Sequence, residues 1–378
     1  MSVLLNTLKV DHPRLAEPVR PFVLVALSGG VDSAVAAYLL KKEGYWVEAA
    51  FMINWQDDDS SEGKCRVSQD LADAEAVARA LEIKLHVVNF SKEYAQRVFE
   101  HFLNELALGR TPNPDVWCNK EIKFKTFKEY AITLGAEYFA TGHYARVLTQ
   151  DDHRYLLKGV DGAKDQSYFL YRLDQLQLKN TLFPLGELTK TKVRRIARDL
   201  GLPNSEKKDS TGICFIGERN FRKFLQNYFL LRPGRLIDQD GNQLGEHQGL
   251  VFYTIGQRKG LGIGGRRGGD ESPWYVIEKD LANNTLIVAQ DQNHPRLQRS
   301  ELTCNQLQWI GNSEPKFPYQ CCAKIRYRQP DQECVLEQNN QRELKVIFAK
   351  PQWAVAAGQS IVFYQGDQCL GGGIIAMN

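Results

Sequence analysis

The chain lacks any apolar run near the length of a bilayer span, for which about 20 consecutive apolar residues are needed. Met1 to Arg20 hold no long apolar core of the secretory type, so we expect no signal peptide there. Both absences lead us to expect a cytoplasmic protein with no membrane partner. No two of its eight cysteines are spaced Cys-x-x-Cys, which leaves zinc knuckles and ribbons unsupported. In a reducing compartment Cys65, Cys118, Cys214, Cys304, Cys321, Cys322, Cys334 and Cys369 stay thiols, most of them as small buried hydrophobes. An excess of one charge is lacking too. The 48 basic and 45 acidic residues leave a net +3, which argues for nucleic acid only through local clusters. Internal repeats, low-complexity tracts and the Gly-x-x-x-x-Gly-Lys-Ser/Thr phosphate loop are all missing.

What is there is ordinary in bulk and unusual in detail. With 378 residues, 43% apolar and 25% charged, the chain has room for two or three domains with their own cores. Ser28-Gly29-Gly30-Val31-Asp32-Ser33 follows the apolar run Phe22–Leu27 and precedes an apolar-periodic segment. That order predicts strand, glycine turn, helix. Such a turn gathers unpaired backbone N–H groups and the positive end of a helix dipole into an anion site. The hexapeptide resembles the SGG-x-DS loop of the PP-loop ATP pyrophosphatases, which implies cleavage of ATP to AMP and pyrophosphate.

The N-terminal part alternates predicted strands and helices. Strands fall at Phe22–Leu27, Trp46–Ile53, Lys84–Phe90 and Tyr138–Thr141, with helices at Asp32–Glu43, Asp70–Leu81, Lys92–Leu108 and Ile122–Leu134. Asp57–Glu62 reads as a polar loop. Repeated β–α units predict a doubly wound, mainly parallel sheet whose ligands sit beyond the carboxyl ends of its strands. The Ser28 loop, Met52–Trp55 and Thr141–Tyr144 all lie at such ends. A helix follows at Lys190–Leu200. From about Trp274 short β-runs dominate, at Trp274–Glu278, Thr285–Ala289, Ala323–Tyr327, Glu343–Phe348 and Ser360–Tyr364, which predicts a closing barrel or sandwich. The expected division is a nucleotide-binding α/β domain over 1–218, a small central domain over 219–290 and a β-barrel over 291–378.

Two cysteines stand in unusual surroundings. In Gly109-Arg110-Thr111-Pro112-Asn113-Pro114-Asp115-Val116-Trp117-Cys118-Asn119-Lys120, two prolines predict a rigid, extended, non-helical segment. Cys118 would then open the next helix with Asn119 as a cap, and Lys120 and Lys123 would favour its thiolate. Cys214 lies in Lys207-Lys208-Asp209-Ser210-Thr211-Gly212-Ile213-Cys214. There apolar neighbours argue for burial, while lysines and a glycine argue for an electropositive loop.

The order SGGVDS, GRTPNPD-x-x-CN, TGHYAR, KDQSYFL, KDSTGICFIGE and GEHQGL…YTIGQRKGLGIGG is similar to that of the tRNA-specific 2-thiouridylases, over nearly the whole chain from about Val23 to Ile375. The resemblance implies a PP-loop domain like those of the adenine nucleotide α-hydrolases, a central domain and a terminal β-barrel. It implies conversion of the wobble uridine of tRNA to 2-thiouridine with ATP and a persulfide sulfur. It places Ala26, Leu27 and Ser28 to Ser33 (Gly29, Gly30, Val31 and Asp32 among them) on the ATP phosphates, Met52 near adenine, and Gly142 where backbone approaches the nucleotide. Asn113, Pro114 and Asp115 would frame the target base, with Asp115 as general acid/base. Cys118 resembles the family's nucleophile and Cys214 its persulfide carrier, and the two would share a transient disulfide. His143, Lys164, Asp165, Gln166, Arg326, Tyr327 and Gln359 match tRNA-contacting positions, although Ala357 stands where a proline is common ahead of Gly358-Gln359. Taken without the resemblance, Met52, His143, Lys164, Arg326 and Tyr327 read as core or solvated residues.

The implied chemistry needs Mg²⁺ for the phosphates, a persulfide donor such as a cysteine desulfurase or sulfur relay protein, and a base lifted from the anticodon loop. No other metal is expected. Basic clusters suit such a polyanion: Lys120, Lys123, Lys125 and Lys128; Arg194, Arg195 and Arg198; Lys207 and Lys208; Arg258 and Lys259; Arg266 and Arg267. Two rivals remain. One is a PP-loop ligase or amidotransferase acting on a small molecule, and the other a tRNA-binding protein with a vestigial nucleotide site.

Overall fold

The computed structural model describes residues 20–55, 61–209, 221–230, 232–263, 272–311, 313–338 and 343–376. The run Phe-Val-Leu-Val-Ala forms β1 (Phe22–Ala26), with Val23, Leu24 and Val25 fully buried. It shows no alternation because both of its faces are covered, as in the middle of a parallel sheet. Further along the chain come β2 (Trp46–Ile53), β3 (Leu85–Asn89), β4 (Tyr138–Ala140), β5 (Ala145–Gln150), β6 (His153–Lys158) and β7 (Thr181–Leu182). Five of these make one parallel sheet in the order β3-β2-β1-β4-β7. The order reverses between β1 and β4, and ligands of doubly wound sheets bind at that switch point.

The helices run close to expectation, with three differences. Asp70–Leu81 is the second half of a longer helix, Ser61–Ala80. The acidic stretch read as a loop contributes Ser61 and Glu62 to that helix, and 57–60 lie outside the described residues. Both 91–107 and 114–133 contain wide turns, at Ala95–Phe99 and Cys118–Thr126, in which the backbone bonds one residue further back than in an α-helix.

A second sheet of four strands joins β8 (Gly234–Asp238), β9 (Gln243–His247), β10 (Tyr275–Asp280) and β11 (Thr285–Ala289) in the order β10-β11-β8-β9. The last six strands are β12 (Gln298–Trp309), β13 (Tyr319–Lys324), β14 (Gln332–Gln338), β15 (Leu344–Trp353), β16 (Ser360–Gln365) and β17 (Gln368–Ile375). They run β12-β15-β14-β13-β16-β17, and β17 pairs back onto β12. Of the barrel and the sandwich, the chain therefore makes the barrel, which leaves no free edge among those six. The predicted strand Ala323–Tyr327 stops at Lys324, which puts Arg326 and Tyr327 on the rim.

The hairpin of β5 and β6 belongs in sequence to the first module but joins the barrel sheet, through Leu156 opposite Cys369 and Leu157 opposite Gln368. One apolar cluster runs from Leu24 and Phe139 through Phe224, Leu236 and Leu286 to Val362 and Cys369. The Ser28 loop and the barrel rim are thus held by a shared core.

Candidate active site

Ser28 to Ser33 turns from β1 into the helix Val31–Lys42. Gly29 takes φ +75°, and a Cβ on it would stand 2.3 Å from the Asp70 carbonyl oxygen, so only glycine fits. The Ser33 hydroxyl accepts from the Ser28 N–H (3.1 Å) and donates to the Gly30 carbonyl (3.1 Å). The Ser28 and Ser33 hydroxyls lie 3.2 Å apart. Gly30 occupies the cap position with no side chain to satisfy the first turn. The N–H groups of that turn have no carbonyl one turn back to receive them, and the dipole adds positive potential there.

Gly142, beyond the end of β4, faces this turn. A Cβ on it would lie 2.8 Å from the Ser33 nitrogen, so its bareness makes room for the loop itself. Met52, near the end of β2, is half-buried against the shared core, and Ala26 and Leu27 lead into the turn.

A second layer, unseen in the sequence, holds the loop. Lys190 donates to both Asp32 carboxylate oxygens (2.7 and 2.8 Å) and lies 2.8 Å from Asp209. The Tyr144 hydroxyl donates to Asp32 Oδ1 at 2.8 Å. Lys164 and Arg194 also donate to Asp209, each at 2.7 Å. Burial alone would raise the Asp209 pKa, but the hydrogen bonds from Lys164 and Lys190 win and hold it down at about 2. Asn204 and Lys207 donate to the Gly29 carbonyl (3.0 and 3.3 Å). Lys207 also bridges Asp70 (2.7 Å) and Asp73 (2.5 Å), and these bonds outweigh its burial and raise its pKa. Capping and periodicity rules carry no signal for such pairs, because the partners lie far apart in the chain.

The segment around Cys118 departs from expectation. Pro114 does not block a helix. It starts one, because the missing N–H is not needed in the first turn. Asn113 is the cap, its side chain accepting from the Asp115 N–H at 3.2 Å. Cys118 therefore does not open the helix: its N–H already donates back to Pro114, and it begins the wide turn. Asn119 is no cap either. It is 2% exposed and donates to the Phe169 carbonyl at 3.0 Å. Cys118 is itself 1% exposed, packed in the shared core, while Asp115 is half-buried. Cys214 lies outside the described residues.

Among the positions matched to tRNA contacts, several are turned inward. His143 is buried and bonded to Thr141 at 2.7 Å. Burial, then the Lys123 charge, pushes its pKa well down. Asp165 is buried and accepts from the Gly159 and Ser167 N–H groups (both 3.1 Å) and from the Ser167 hydroxyl (2.9 Å). Gln166 accepts from the Tyr144 N–H at 3.0 Å. Gln359 braces the Cys118 arm, donating to the Thr111 carbonyl at 2.6 Å, and the Ala357 carbonyl accepts from the Thr111 N–H at 2.8 Å. Arg326, Trp353 and Gln359 line a cleft of about 380 Å³ with Thr254 and Gln257. The Tyr327 ring packs tilted against Phe169 (centroids 4.4 Å apart), and its hydroxyl donates to the Lys164 carbonyl (3.3 Å). The stretch 164–169 thereby links the Cys118 helix, through Asn119 and Phe169, to the Asp209 cluster.

The basic clusters are partly spent inside the protein. Lys128 donates to the carbonyls of Leu176 and Gln177 and to the Lys179 carbonyl, closing a short helix end. Lys125 pairs with Glu121, Arg195 with Asp199 and Arg198 with Glu206. Arg266 and Arg267 lie outside the described residues.

A parallel sheet with a glycine-serine-aspartate cradle at its switch point, followed by a small β-rich module and a closed barrel, defines a protein of the PP-loop class. Family models agree with each part. The tRNA methyl transferase HUP domain matches residues 22–218, the tRNA methyl transferase PRC-barrel domain residues 222–290, and the aminomethyltransferase beta-barrel domain residues 299–375. The tRNA-specific 2-thiouridylase MnmA of Tolumonas auensis is 56% identical over 354 residues, 93% of this chain and 96% of the relative. Its counterpart in Salmonella arizonae is 55% identical over the same shares of each chain. A solved 4-thiouridine synthetase–RNA complex with bound ATP aligns at 20% identity and a TM-score of 0.34, over 55% of this chain and 49% of that one, a likeness too loose to bear on function. The chain belongs to the tRNA-specific 2-thiouridylase family.

Proposed function

We propose that the protein is a cytoplasmic tRNA-uridine 2-sulfurtransferase that uses ATP to replace the C2 oxygen of the wobble uridine with sulfur. The observation that carries this is the Ser28–Ser33 turn, which opens a helix at Gly30 with no side-chain cap and so leaves first-turn N–H groups and the dipole's positive end for an anion, in a chain 56% identical to a 2-thiouridylase over 93% of its length. The C2 oxygen of uracil is a poor leaving group, and transfer of AMP to it makes a good one while pyrophosphate departs. The cradle, Ala26, Leu27 and Met52 would hold the nucleotide, with Gly142 keeping the turn in place. Mg²⁺ is held by one or two carboxylates plus phosphate oxygens. Asp32, the loop's own carboxylate, would supply such a ligand once Lys190, which holds both of its oxygens, is drawn to phosphate, and the ion would neutralise phosphate charge.

Cys214 would carry the persulfide received from a donor protein. Its outer sulfur would attack C2 and expel AMP, leaving C2 joined to Cys214 through two sulfurs until Cys118 attacks the Cys214 sulfur and frees the 2-thiouridine. Alternatively, Cys118 would attack that inner sulfur first, releasing hydrosulfide that attacks C2 and expels AMP. The cysteines end as a Cys118–Cys214 disulfide, which a thiol reductant must reopen by two electrons. Asn113, Pro114 and Asp115 would frame the base, Asp115 moving its protons. Arg326, Tyr327 and Gln359 stand at the rim nearest that arm, and Lys164 between the two clusters.

Incubation with ATP, a persulfide donor and tRNA, then nuclease digestion and mass spectrometry, should reveal 2-thiouridine. No thiolation with a donor of proven competence would sink the proposal. A small-molecule ligase would keep full turnover as Cys118→Ser and Cys214→Ser, and a vestigial binder would take up tRNA without consuming ATP.

A further inference from the structure

Asp209 stands where three cations from separate parts of the chain converge. Lys190 and Arg194 sit on the helix Lys190–Asp199, and Lys164 on the 164–169 stretch. Lys190 is nearly buried, its side chain 11% exposed, while that of Asp209 is 35% exposed. Lys190 ties the pair directly to Asp32 in the cradle. The nearby Asp161 is engaged by backbone, accepting from the N–H groups of Ala163 (3.1 Å) and Lys190 (2.8 Å). A carboxylate gripped by two lysines and an arginine beside a phosphate-type cradle occupies a site whose donors suit a phosphate equally well.

We infer that Lys190 and Arg194, with Lys164 beside them, are ligands for the pyrophosphate part of the nucleotide, and that Asp209 is an internal anion which phosphate replaces. The inference rests on the nucleotide reading of the cradle. Asp209 is ionised near neutrality, since those cations hold its pKa at about 2. Without a nucleotide it keeps a nearly buried lysine paired, where an unpaired ammonium would be costly. With phosphate present it becomes a competitor, so apparent affinity falls by the fraction of sites that Asp209 holds. The exchange takes place on the same stretch of chain as Cys214.

The test is isothermal titration of ATP, pyrophosphate and AMP into the full chain, without Mg²⁺ and then with it. In Asp209→Asn, pyrophosphate and ATP should bind at least about fivefold more tightly, while AMP, which lacks the outer phosphates, stays within about twofold. In Lys190→Met, pyrophosphate should bind at least about tenfold more weakly, with AMP again little changed. Lys190→Arg, which keeps the charge, should bind pyrophosphate more tightly than Lys190→Met, and thermal melts would confirm folding of each. Unchanged or weaker pyrophosphate binding in Asp209→Asn would overturn the inference, and would mark Asp209 as a structural ion-pair partner or a metal ligand. Wild-type protein that binds neither ATP nor pyrophosphate would overturn the nucleotide reading itself.

Discussion

The two halves of the candidate site are built from opposite materials. Around Ser28 the partners are charges and backbone groups: Lys190 on Asp32 and Asp209, Lys207 on Asp70 and Asp73, Asn204 on the Gly29 carbonyl. Around Cys118 they are apolar: Val116, Ile122 and Phe124 share its cluster, and the thiol is 1% exposed. The charged half is preorganised for an anion. The apolar half keeps its sulfur from solvent. Sulfur chemistry in the second half therefore requires Cys118 to become accessible, whereas anion binding in the first does not.

The sharpest way to break the contrast is Cys118→Ser. It should lower thiolation by about 10³-fold or more, as loss of a nucleophile does. The dissociation constant for ATP should stay within about twofold, since Cys118 packs in the apolar cluster while the cradle is tied to Lys190, Asn204 and Lys207. A parallel loss of ATP affinity would show that the halves are one unit.

Gly142→Ala probes the other half. Its new Cβ would press on the Ser33 nitrogen at 2.8 Å, and such overpacking costs about 1–3 kcal/mol. We expect ATP binding to weaken by about tenfold, each factor of ten being about 1.4 kcal/mol. A crystal structure or titration showing an undisturbed cradle would refute this.

Asn119→Ala tests the link between the halves. It removes the donor to the part-buried Phe169 carbonyl, which should cost about 0.5–1.5 kcal/mol in urea unfolding. ATP affinity in this variant should be unmoved.

A control on burial lies outside both halves. Lys279 donates to the Tyr253 carbonyl at 3.0 Å, and burial lowers its pKa to about 8 from 10.5. Between those values the unfolded chain holds the proton and the folded one does not, so this group makes stability rise with pH. Lys279→Met lacks that dependence. Its stability advantage over the parent, followed by urea midpoints, should shrink as pH climbs from 8 towards 10.5. A constant gap would place the lysine in solvent.

Salt adds a last comparison. Lys128, Lys125, Lys207 and Arg194 are engaged within the protein, so fewer of the basic residues remain to meet phosphates than their number in the sequence suggests. Binding of tRNA should still weaken as salt rises, with a slope set by the phosphates actually neutralised, and filter binding between low and high salt measures it.

Local rules carried the sequence far. Continuous apolar runs marked β1 and β2 because both faces of a parallel strand are buried. The glycine turn marked the cradle because Gly29 needs positive φ and closeness to Asp70. The same rules were misapplied at Pro114: a proline ends a helix from within but suits its first turn, and Asn113 ahead of it with Asp115 behind is the cap-then-proline pattern of a helix start. They also passed over the β5–β6 hairpin, whose place beside β17 depends on a partner more than 200 residues further on. By itself, then, the sequence determined the strand–turn–helix cradle, the order of motifs and the family, all properties of contiguous residues. Tertiary structure alone decided that Asp32 and Asp209 meet at Lys190, that Cys118 is buried and that Gln359 braces Thr111. Ion pairs and burial depend on where distant segments are packed, and spacing along the chain does not encode that.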